Sequence, residues 1–330
     1  MKSRRGLLTV IGLLLALLII TPFASSYVIV LITYALVFAI LAMSLDILLG
    51  YTGLPSLGQA AYLGMGAYLT AILATQYDFG LGWSFWVVIL LGILVGALTA
   101  AFFGLFAIRA TGVYFLMITL ALGQCVWGLA YRWNSVTGGD NGINLPPRPE
   151  FGIDLANDVT YFYVVFGCFV VSLLTLYILV KSPFGRSLEG IREREPRMRI
   201  LGYNTWLHKY IAFVIAGGYG GLAGVLWAHL SGLVSPGDVL LTTSVDALLM
   251  VVLGGPGTLV GGAIGAAVIV FLRDYLSTML PWWQYVLGGV YVLTILYLPG
   301  GLMGIPERIR HRRARSASQG ETKKLKSASH

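Results

Sequence analysis

Long apolar stretches make up most of the chain and are separated by short segments that contain Gly, Pro or polar residues. A straight transmembrane helix needs about 20 apolar residues, and a broken or re-entrant helix needs fewer. The pattern therefore predicts an all-α, polytopic integral membrane protein with about ten spans, some of them broken or re-entrant. The apolar stretches lie near residues 6–25, 27–49, 57–76, 83–108, 112–131, 159–180, 210–233, 240–254, 257–279 and 283–300.

Two of the breaks between apolar stretches are rich in Gly and Pro and resemble each other. The first break, residues 50–55, reads GYTGLP, and the second break, residues 254–257, reads GGPG. Backbone freed by Gly and Pro at membrane depth is tolerated where it is buried in protein or lines a wet cavity. Matching breaks in two halves of a chain therefore indicate a transport path. The likeness is equally compatible with unrelated Gly-rich turns, because transmembrane helices are generally rich in Gly.

Small residues at helical spacing form two stripes in the second half of the chain. Such stripes allow two helices to approach closely. We interpret both as packing faces and not as binding sites. They are Gly217, Tyr219, Gly221 and Gly224, and Gly257, Gly261 and Gly265.

The basic segment, residues 181–209, is the one long charged insert between apolar stretches. Ser182 and Pro183 predict the start of a helix, since Pro is accepted in the first helical turn. Pro196 is expected to end this helix and to open a second one that stops at Gly202. Two short amphipathic helices could lie on the membrane surface or insert an apolar edge into a soluble partner. Composition alone slightly favours the membrane surface.

Composition and charge support a membrane protein and give it an orientation. The sequence is 57% hydrophobic and 11% charged, with a net charge of +8. All but three of the 22 basic residues fall in segments that alternation places on one side, and the exceptions are Arg132, Arg148 and Arg273. Because such a bias marks the cytoplasmic side, residues 2–5, 109–111, 181–209 and 305–330 are predicted to be cytoplasmic. Both termini are then cytoplasmic, and no nucleic-acid partner is implied.

These predictions divide the chain into three parts. Residues 1–26 form a first span or a signal-like segment, and a retained span is favoured over a cleaved signal. Residues 27–304 form the membrane domain, which contains the basic segment. Residues 305–330 form a basic cytoplasmic tail that is expected to be disordered.

Candidate chemistry in the sequence is sparse. A membrane enzyme would need paired carboxylates, a His cluster or a nucleophile with its base, and no such group is found in the sequence. We therefore expect no enzyme activity, metal or cofactor. Among the acids within apolar stretches, Asp46 and Asp246 each lie just before a break. They could cap freed backbone N–H groups or contact a substrate, and two acids alone make a poor ion relay.

Four groups of residues together resemble one known family. They are residues 50–61 with Gly64, Gly66 and Ala67; residues 137–143; Ser182 to Arg186, Ile191 to Glu193 and Leu201 to Asn204 in the basic segment; and Asp246 to Thr258 with Pro299, Gly301 and Leu302. Over residues 27–304 the chain is similar to the longer of the two permease types of ABC importers for branched-chain amino acids. Pro196 departs from the family's usual pattern.

The resemblance implies partners, a location and a source of energy. It implies a bacterial inner-membrane heterodimer with a second permease, two cytoplasmic ATPase subunits and an external binding protein that delivers leucine, isoleucine or valine. ATP hydrolysis would then occur on the partner subunits, and the basic segment would dock on an ATPase. Permeases for urea or short-chain amides are similar, and a secondary carrier or stand-alone channel is the alternative of a different class.

On this resemblance, two sets of residues are expected to serve transport. The residues expected to couple the chain to an ATPase are Arg186, Leu188, Glu189, Ile191, Arg192, Glu193, Arg197, Leu201 and Gly202. The residues expected along an apolar, Gly-lined translocation path are Gly50, Gly53, Ser56, Gln59, Gly64, Thr137, Asn141, Asp246, Gly254 and Gly255.

Overall fold

A computed structural model of the protein describes residues 24–76, 84–148, 155–297 and 301–303, with the isolated positions 12, 18 and 21. Most of segment 1–26 and the whole tail 305–330 lie outside the described residues. The choice between a retained first span and a cleaved signal therefore stays a prediction, as does disorder of the tail.

Helices make up nearly all of the described structure. The helices are α1 (Ser26–Asp46), α2 (Gln59–Gln76), α3 (Ser84–Ala107), α4 (Val113–Arg132), α5 (Asn134–Thr137), α6 (Asp158–Lys181), α7 (Pro183–Ile200), α8 (Thr205–Ser231), α9 (Leu241–Gly254), α10 (Leu259–Met279) and α11 (Trp283–Tyr297). A π-helical turn, Ile47–Thr52, continues α1, and short 3-10 turns occupy Gly139–Asn141 and Pro236–Val239. Strands β1 (Ile143–Asn144) and β2 (Leu233–Val234) form an antiparallel pair.

The helices confirm the apolar pattern, although they do not confirm ten spans. Each predicted apolar stretch after the first coincides with a helix, to within a few residues at either end. Among the described residues, six helical stretches are long and apolar enough to cross a membrane. They are Ser26–Thr52, Phe85–Ala107, Val113–Arg132, Asp158–Lys181, Thr205–Ser231 and Leu259–Met279. The protein is thus an all-α, multi-pass membrane protein.

Close contacts between glycines bring the central helices together. A Cβ atom on Gly96 of α3 would overlap the carbonyl oxygen of Gly217 on α8, and one on Gly221 would overlap that of Gly92. Against α2, its other neighbour, α8 packs in the same way: a Cβ on Gly224 would overlap the carbonyl oxygen of Leu63. Since helices without side chains at the crossing can approach closely, α8 packs between α2 and α3. The prediction that this stripe is a packing face is confirmed.

The basic segment folds as the two predicted helical parts, which together form α7, and the break between them lies two residues before Pro196. Ser182 caps α7, with its Oγ accepting the N–H of Gly185 at 3.4 Å, and Gly202 follows its end with φ +88°. The interruption falls at Arg194, where φ is −153° and ψ is 87°. Pro196 therefore lies in the first turn of the second part, where its missing N–H leaves no hydrogen bond unmade.

The course of α8 separates two ends of the molecule. At about 1.5 Å per residue, this helix of 27 residues extends roughly 40 Å from the basic segment to β2. We call the end with both breaks and α7 the break end. The other end carries residues 134–148 and 231–240, and we call it the loop end. Here β1 pairs with β2, so that loops from the two halves of the chain are joined by backbone hydrogen bonds.

Candidate translocation and coupling site

The two breaks predicted from the sequence lie against each other at the break end. Asp46, which is fully buried, accepts a hydrogen bond from the backbone N–H of Gly257, with 2.7 Å between Oδ1 and N. A Cβ atom on Gly50 would overlap both this carboxylate and the Gly257 nitrogen. Asp46 therefore caps freed backbone, which is one of the two roles predicted for it from the sequence. It does so across the contact between the two breaks, 211 residues along the chain.

Arg192 of α7 joins the basic segment to both breaks. Its guanidinium Nη1 donates a hydrogen bond to the carbonyl oxygen of Gly50. Its Cγ lies 3.1 Å from the place that a Cβ on Gly53 would occupy, and Nη1 lies 3.2 Å from the same place on Gly257. Both of these glycines have positive φ, +72° and +84°. A single cation of the basic segment thus forms a hydrogen bond with the first break and lies beside the second.

Side chains from α4 and α9 hold the chain that leaves the first break. The hydroxyl of Thr119 in α4 accepts the N–H of Leu57 at 3.1 Å, and the hydroxyl of Ser244 in α9 accepts the N–H of Ala60 at 2.9 Å. These N–H groups precede or open α2 and have no acceptor within a helix. The first break is therefore anchored by neutral donors and acceptors from distant parts of the sequence.

Ser56 and Gln59 are fully buried beside the first break. Ser56 Oγ accepts the N–H of Gly58 at 3.2 Å, and Gln59 Oε1 accepts the hydroxyl of Ser44 at 3.4 Å. The amide nitrogen of Gln59 has no hydrogen-bond partner among the described residues. Gln59 therefore retains a free donor inside the bundle, although an unpaired buried amide is costly.

The second break is built from glycines in close contact with α10 and with residue 301. A Cβ on Gly254 would overlap the carbonyl oxygen of Gly261, and one on Gly265 would overlap that of Met250. Gly255 has φ +115°, and a Cβ on Gly301 would overlap its backbone. Gly261 and Gly265 are packing positions, as predicted, and Gly254 is one as well.

Asp246 does not join the breaks, because it pairs with a cation on α10. Arg273 Nη1 lies 3.0 Å from Asp246 Oδ2, and the guanidinium carbon lies 5.2 Å from the centre of the Trp283 ring. The carboxylate side chain is 17% exposed and the arginine 38%. This ion pair links α9 to α10, and the cation–π contact extends it to α11.

The remaining path residues lie away from the breaks. A Cβ on Gly64 of α2 would overlap the Val239 side chain. Thr137 is buried at the loop end, where its hydroxyl donates to the carbonyl oxygens of Ala130 at 2.6 Å and Trp133 at 2.8 Å. Asn141 is exposed at the same end. The predicted path residues therefore do not form one cluster but mark the two ends of the bundle and its middle.

The predicted coupling residues fall into a buried and an exposed group. Leu188 and Ile191 are 1% and 3% exposed, so they pack on the chain itself. Exposed apolar surface is supplied instead by Ile200 and Leu201, at 87% and 62%. A surface groove at the kink is lined by Glu193, Arg194, Glu195, Pro196, Arg197, Ile200 and Leu201. Arg186, Glu189, Arg192, Glu193, Arg197 and Gly202 are exposed.

Glu195 fixes the second part of α7 to the start of α8. Its carboxylate contacts Lys209 Nζ at 2.5 Å and Arg199 Nη2 at 2.7 Å, and the hydroxyl of Thr205 donates to it at 3.1 Å. Partial burial alone would raise the pKa of Glu195, but the hydrogen bonds from Lys209 and Arg199 hold it below its ordinary value. The carboxylate is therefore ionised at neutral pH and orders the kinked region.

Sequence reasoning missed the partners of several predicted residues. Arg273 was taken only as one of three basic residues on the outer side, yet it neutralises Asp246. Thr119 and Ser244 support the first break but carry no motif. The available signals were opposite charges in neighbouring apolar stretches and hydroxyl residues on helices that flank a break. Neither signal shows which residue is the partner.

A bundle of apolar helices with two paired breaks beside a charged, kinked helix is the construction of a membrane transport protein. Comparison of the sequence with known proteins agrees with this class. Residues 27–296 match the family described as the permease component of the branched-chain amino acid transport system. The chain belongs to this family.

Curated relatives include permeases for more than one kind of solute. The LivM permease protein of high-affinity branched-chain amino acid transport in Salmonella typhimurium is 32% identical over 82% of this chain and 68% of its own length. A probable LivM permease of Methanocaldococcus jannaschii is 26% identical, over 82% of this chain and 90% of its own. The LsrC permease of autoinducer 2 import in Salmonella paratyphi B is 25% identical, over 85% and 77%. No solved structure matches the chain.

Proposed function

We propose that this chain is one permease subunit of an ATP-driven importer that carries leucine, isoleucine or valine across a bacterial inner membrane. Its partners are a second permease, two cytoplasmic ATPase subunits and an external binding protein that delivers the amino acid. Family membership supports the transport role and the substrate class. The hydrogen bond of Arg192 to the first break, beside the second, is the structural observation that carries the proposal, because it connects the basic segment to the membrane helices.

The proposed topology has about ten spans with both termini in the cytoplasm. Residues that contact Arg192 then lie at the cytoplasmic face, and β1 and β2 lie at the outer face. This assignment is supported by the concentration of basic residues in the segments on the break end. In this orientation the ATPase docks on the second part of α7, where Ile200 and Leu201 are exposed beside Arg197. The buried Leu188 and Ile191 act by packing α7 on the bundle.

The translocation path is proposed to follow the ten predicted residues from end to end. Thr137 and Asn141 border its outer mouth, where the binding protein delivers the amino acid. Gly64 and Asp246 lie along its length, and the breaks with Ser56 and Gln59 form its inner end. A receptor-delivered zwitterion needs a passage and not a tight site, which fits the spread of these residues.

Reconstitution tests the function directly. The chain is assembled with its second permease, its ATPases and its binding protein in proteoliposomes, and uptake of labelled leucine, isoleucine and valine is measured. We expect uptake that requires both ATP and the binding protein. Uptake by the chain without ATPase subunits would favour a secondary carrier or channel and would contradict the proposal.

The relatives named for autoinducer 2 import give a second substrate class to test. The same proteoliposomes, supplied with receptors for branched-chain amino acids, urea, short-chain amides or autoinducer 2, distinguish these classes. We expect uptake with the branched-chain receptor only. Uptake with another receptor and none with the branched-chain receptor would replace the substrate and retain the ATP-driven mechanism.

A further inference from the structure

We propose that Arg192 is the positioning residue through which movement of α7 reaches both breaks at once. This inference rests on the proposed function, since it assumes that a soluble ATPase moves α7. The prediction from sequence placed Arg192 on the docking surface. In the structure Arg192 is exposed as a residue, and its Nη1 donates a hydrogen bond to the Gly50 carbonyl oxygen at the first break.

The contacts around Arg192 form a closed set. Gly50 receives the guanidinium hydrogen bond, and Gly257 lies 3.2 Å from Nη1 when measured at the place of a Cβ. Asp46 accepts the Gly257 N–H and lies against Gly50. A displacement of Arg192 would therefore act on the Gly50 carbonyl, and Gly50 lies against the contact between Asp46 and Gly257. Charge-assisted hydrogen bonds are directional enough to transmit such a movement.

The backbone at these points is suited to move. Gly53 and Gly257 have φ of +72° and +84°, in the region that only glycine occupies without cost. Asp46 Oδ2 is buried and has no hydrogen-bond partner among the described residues. A buried carboxylate oxygen without a partner is costly, so this oxygen is available to accept a backbone N–H in a second arrangement of the breaks. The set thus has the parts of a two-position element.

Leu54, within the first break, and Leu259, two residues after the second, provide reporters, because each is only 4% exposed. Each is changed to cysteine in turn, in a chain whose Cys125 and Cys168 are replaced by alanine. Labelling by a membrane-impermeant thiol reagent is then measured from the cytoplasmic side in the assembled complex, with and without ATP. We expect ATP to change the labelling rate at both reporters in the chain with native Arg192.

The variant Arg192→Gln separates transmission from docking. It is expected to reduce the ATP-dependent change in labelling rate at both reporters by roughly tenfold, which is the equilibrium effect of losing a hydrogen bond to a charged group. The ATPase subunits are expected to remain bound and to hydrolyse ATP. The matched control is Arg109→Gln, which removes an exposed arginine between α3 and α4, outside α7, and should leave the change intact. A purely structural role would alter the labelling rate but not its dependence on ATP.

Three results would overturn the inference. They are a full ATP response in Arg192→Gln, loss of ATPase binding in parallel with the response, and no ATP response in the chain with native Arg192 when uptake is ATP-driven. In the last case the proposed function stands and the transmission fails. If Arg192→Gln does not assemble, Arg192→Lys replaces it, because it retains the charge and loses the guanidinium geometry. An unaltered response in Arg192→Lys would also contradict the inference.

Discussion

At the scale of single residues, glycines decide where backbones can meet. Gly254 packs on the Gly261 carbonyl with no room for a side chain. The sequence marked Gly254 as part of a translocation path, because a Gly-Pro break looks the same whether it lines a passage or fits between helices. The Gly261 carbonyl opposite Gly254 was not foreseeable from local sequence; it establishes the packing role of Gly254, and the place of Gly254 on the path stays a prediction.

Gly254→Ala should therefore destabilise the protein by about 1–3 kcal/mol, the usual cost of overpacking. The measurement is thermal unfolding of the purified protein in detergent. Gly167→Ala is the matched control, since a Cβ at Gly167 of α6 meets nothing within 4 Å. Equal unfolding temperatures for the two variants would show that α9 and α10 can separate without cost.

Glu195→Gln tests the charge network at the kink of α7. The folded-state pKa of Glu195 is lowered. The contribution of its carboxylate to the free energy of unfolding is therefore present above its unfolded pKa of about 4.3 and is lost as pH falls through the lower folded value. We expect Glu195→Gln to be less stable than the native chain by about 1 kcal/mol at neutral pH, with the difference vanishing in acid. Hydrogen exchange of residues 194–205 against pH measures it, and a difference that is independent of pH would exclude ionisation as the cause.

At the scale of elements, the apolar pattern located the helices well and their interruptions less well. Ser182, Pro183 and Gly202 marked the ends of α7 correctly, because caps act through nearby backbone. The kink was placed at Pro196 and occurs at Arg194. Leu188 and Ile191 appeared as an apolar edge that could be free or covered, and only packing shows that it is covered. Strands of two residues each are too short to give an alternating pattern.

Arg148 stabilises the end of α8 by three kinds of contact. Its Nε donates to the His229 carbonyl at 2.8 Å, Nη1 contacts Asp158 at 3.0 Å, and the guanidinium lies over the Tyr161 ring. A cation at a helix C-terminus is favourable, so Arg148→Met should lower stability by about 2–4 kcal/mol, allowing for a partly buried ion pair. Detergent unfolding measures the change. Arg132→Met, on an exposed arginine, is the control, and a similar loss there would contradict a specific role for Arg148.

At the scale of the whole molecule, the positive-inside bias and the structure can be tested together. The bias assigns one side to the basic segment, and the structure puts β1 at the other end of α8. A cysteine at Ile200, which is 87% exposed, should react with an impermeant thiol reagent only in inside-out vesicles. A cysteine at exposed Asn144 should react only in intact cells, which makes it the control. Labelling of the Ile200 position from outside would reverse the orientation and remove the proposed ATPase contact.

The pairing of β1 with β2 limits how this chain can move. It ties the loops of both halves together at one face, while Asp46 and Gly257 tie the halves at the other. A subunit whose two halves are connected at both faces does not readily separate between those halves. The proposed path would then open by rearrangement of the breaks and not by separation of the two halves.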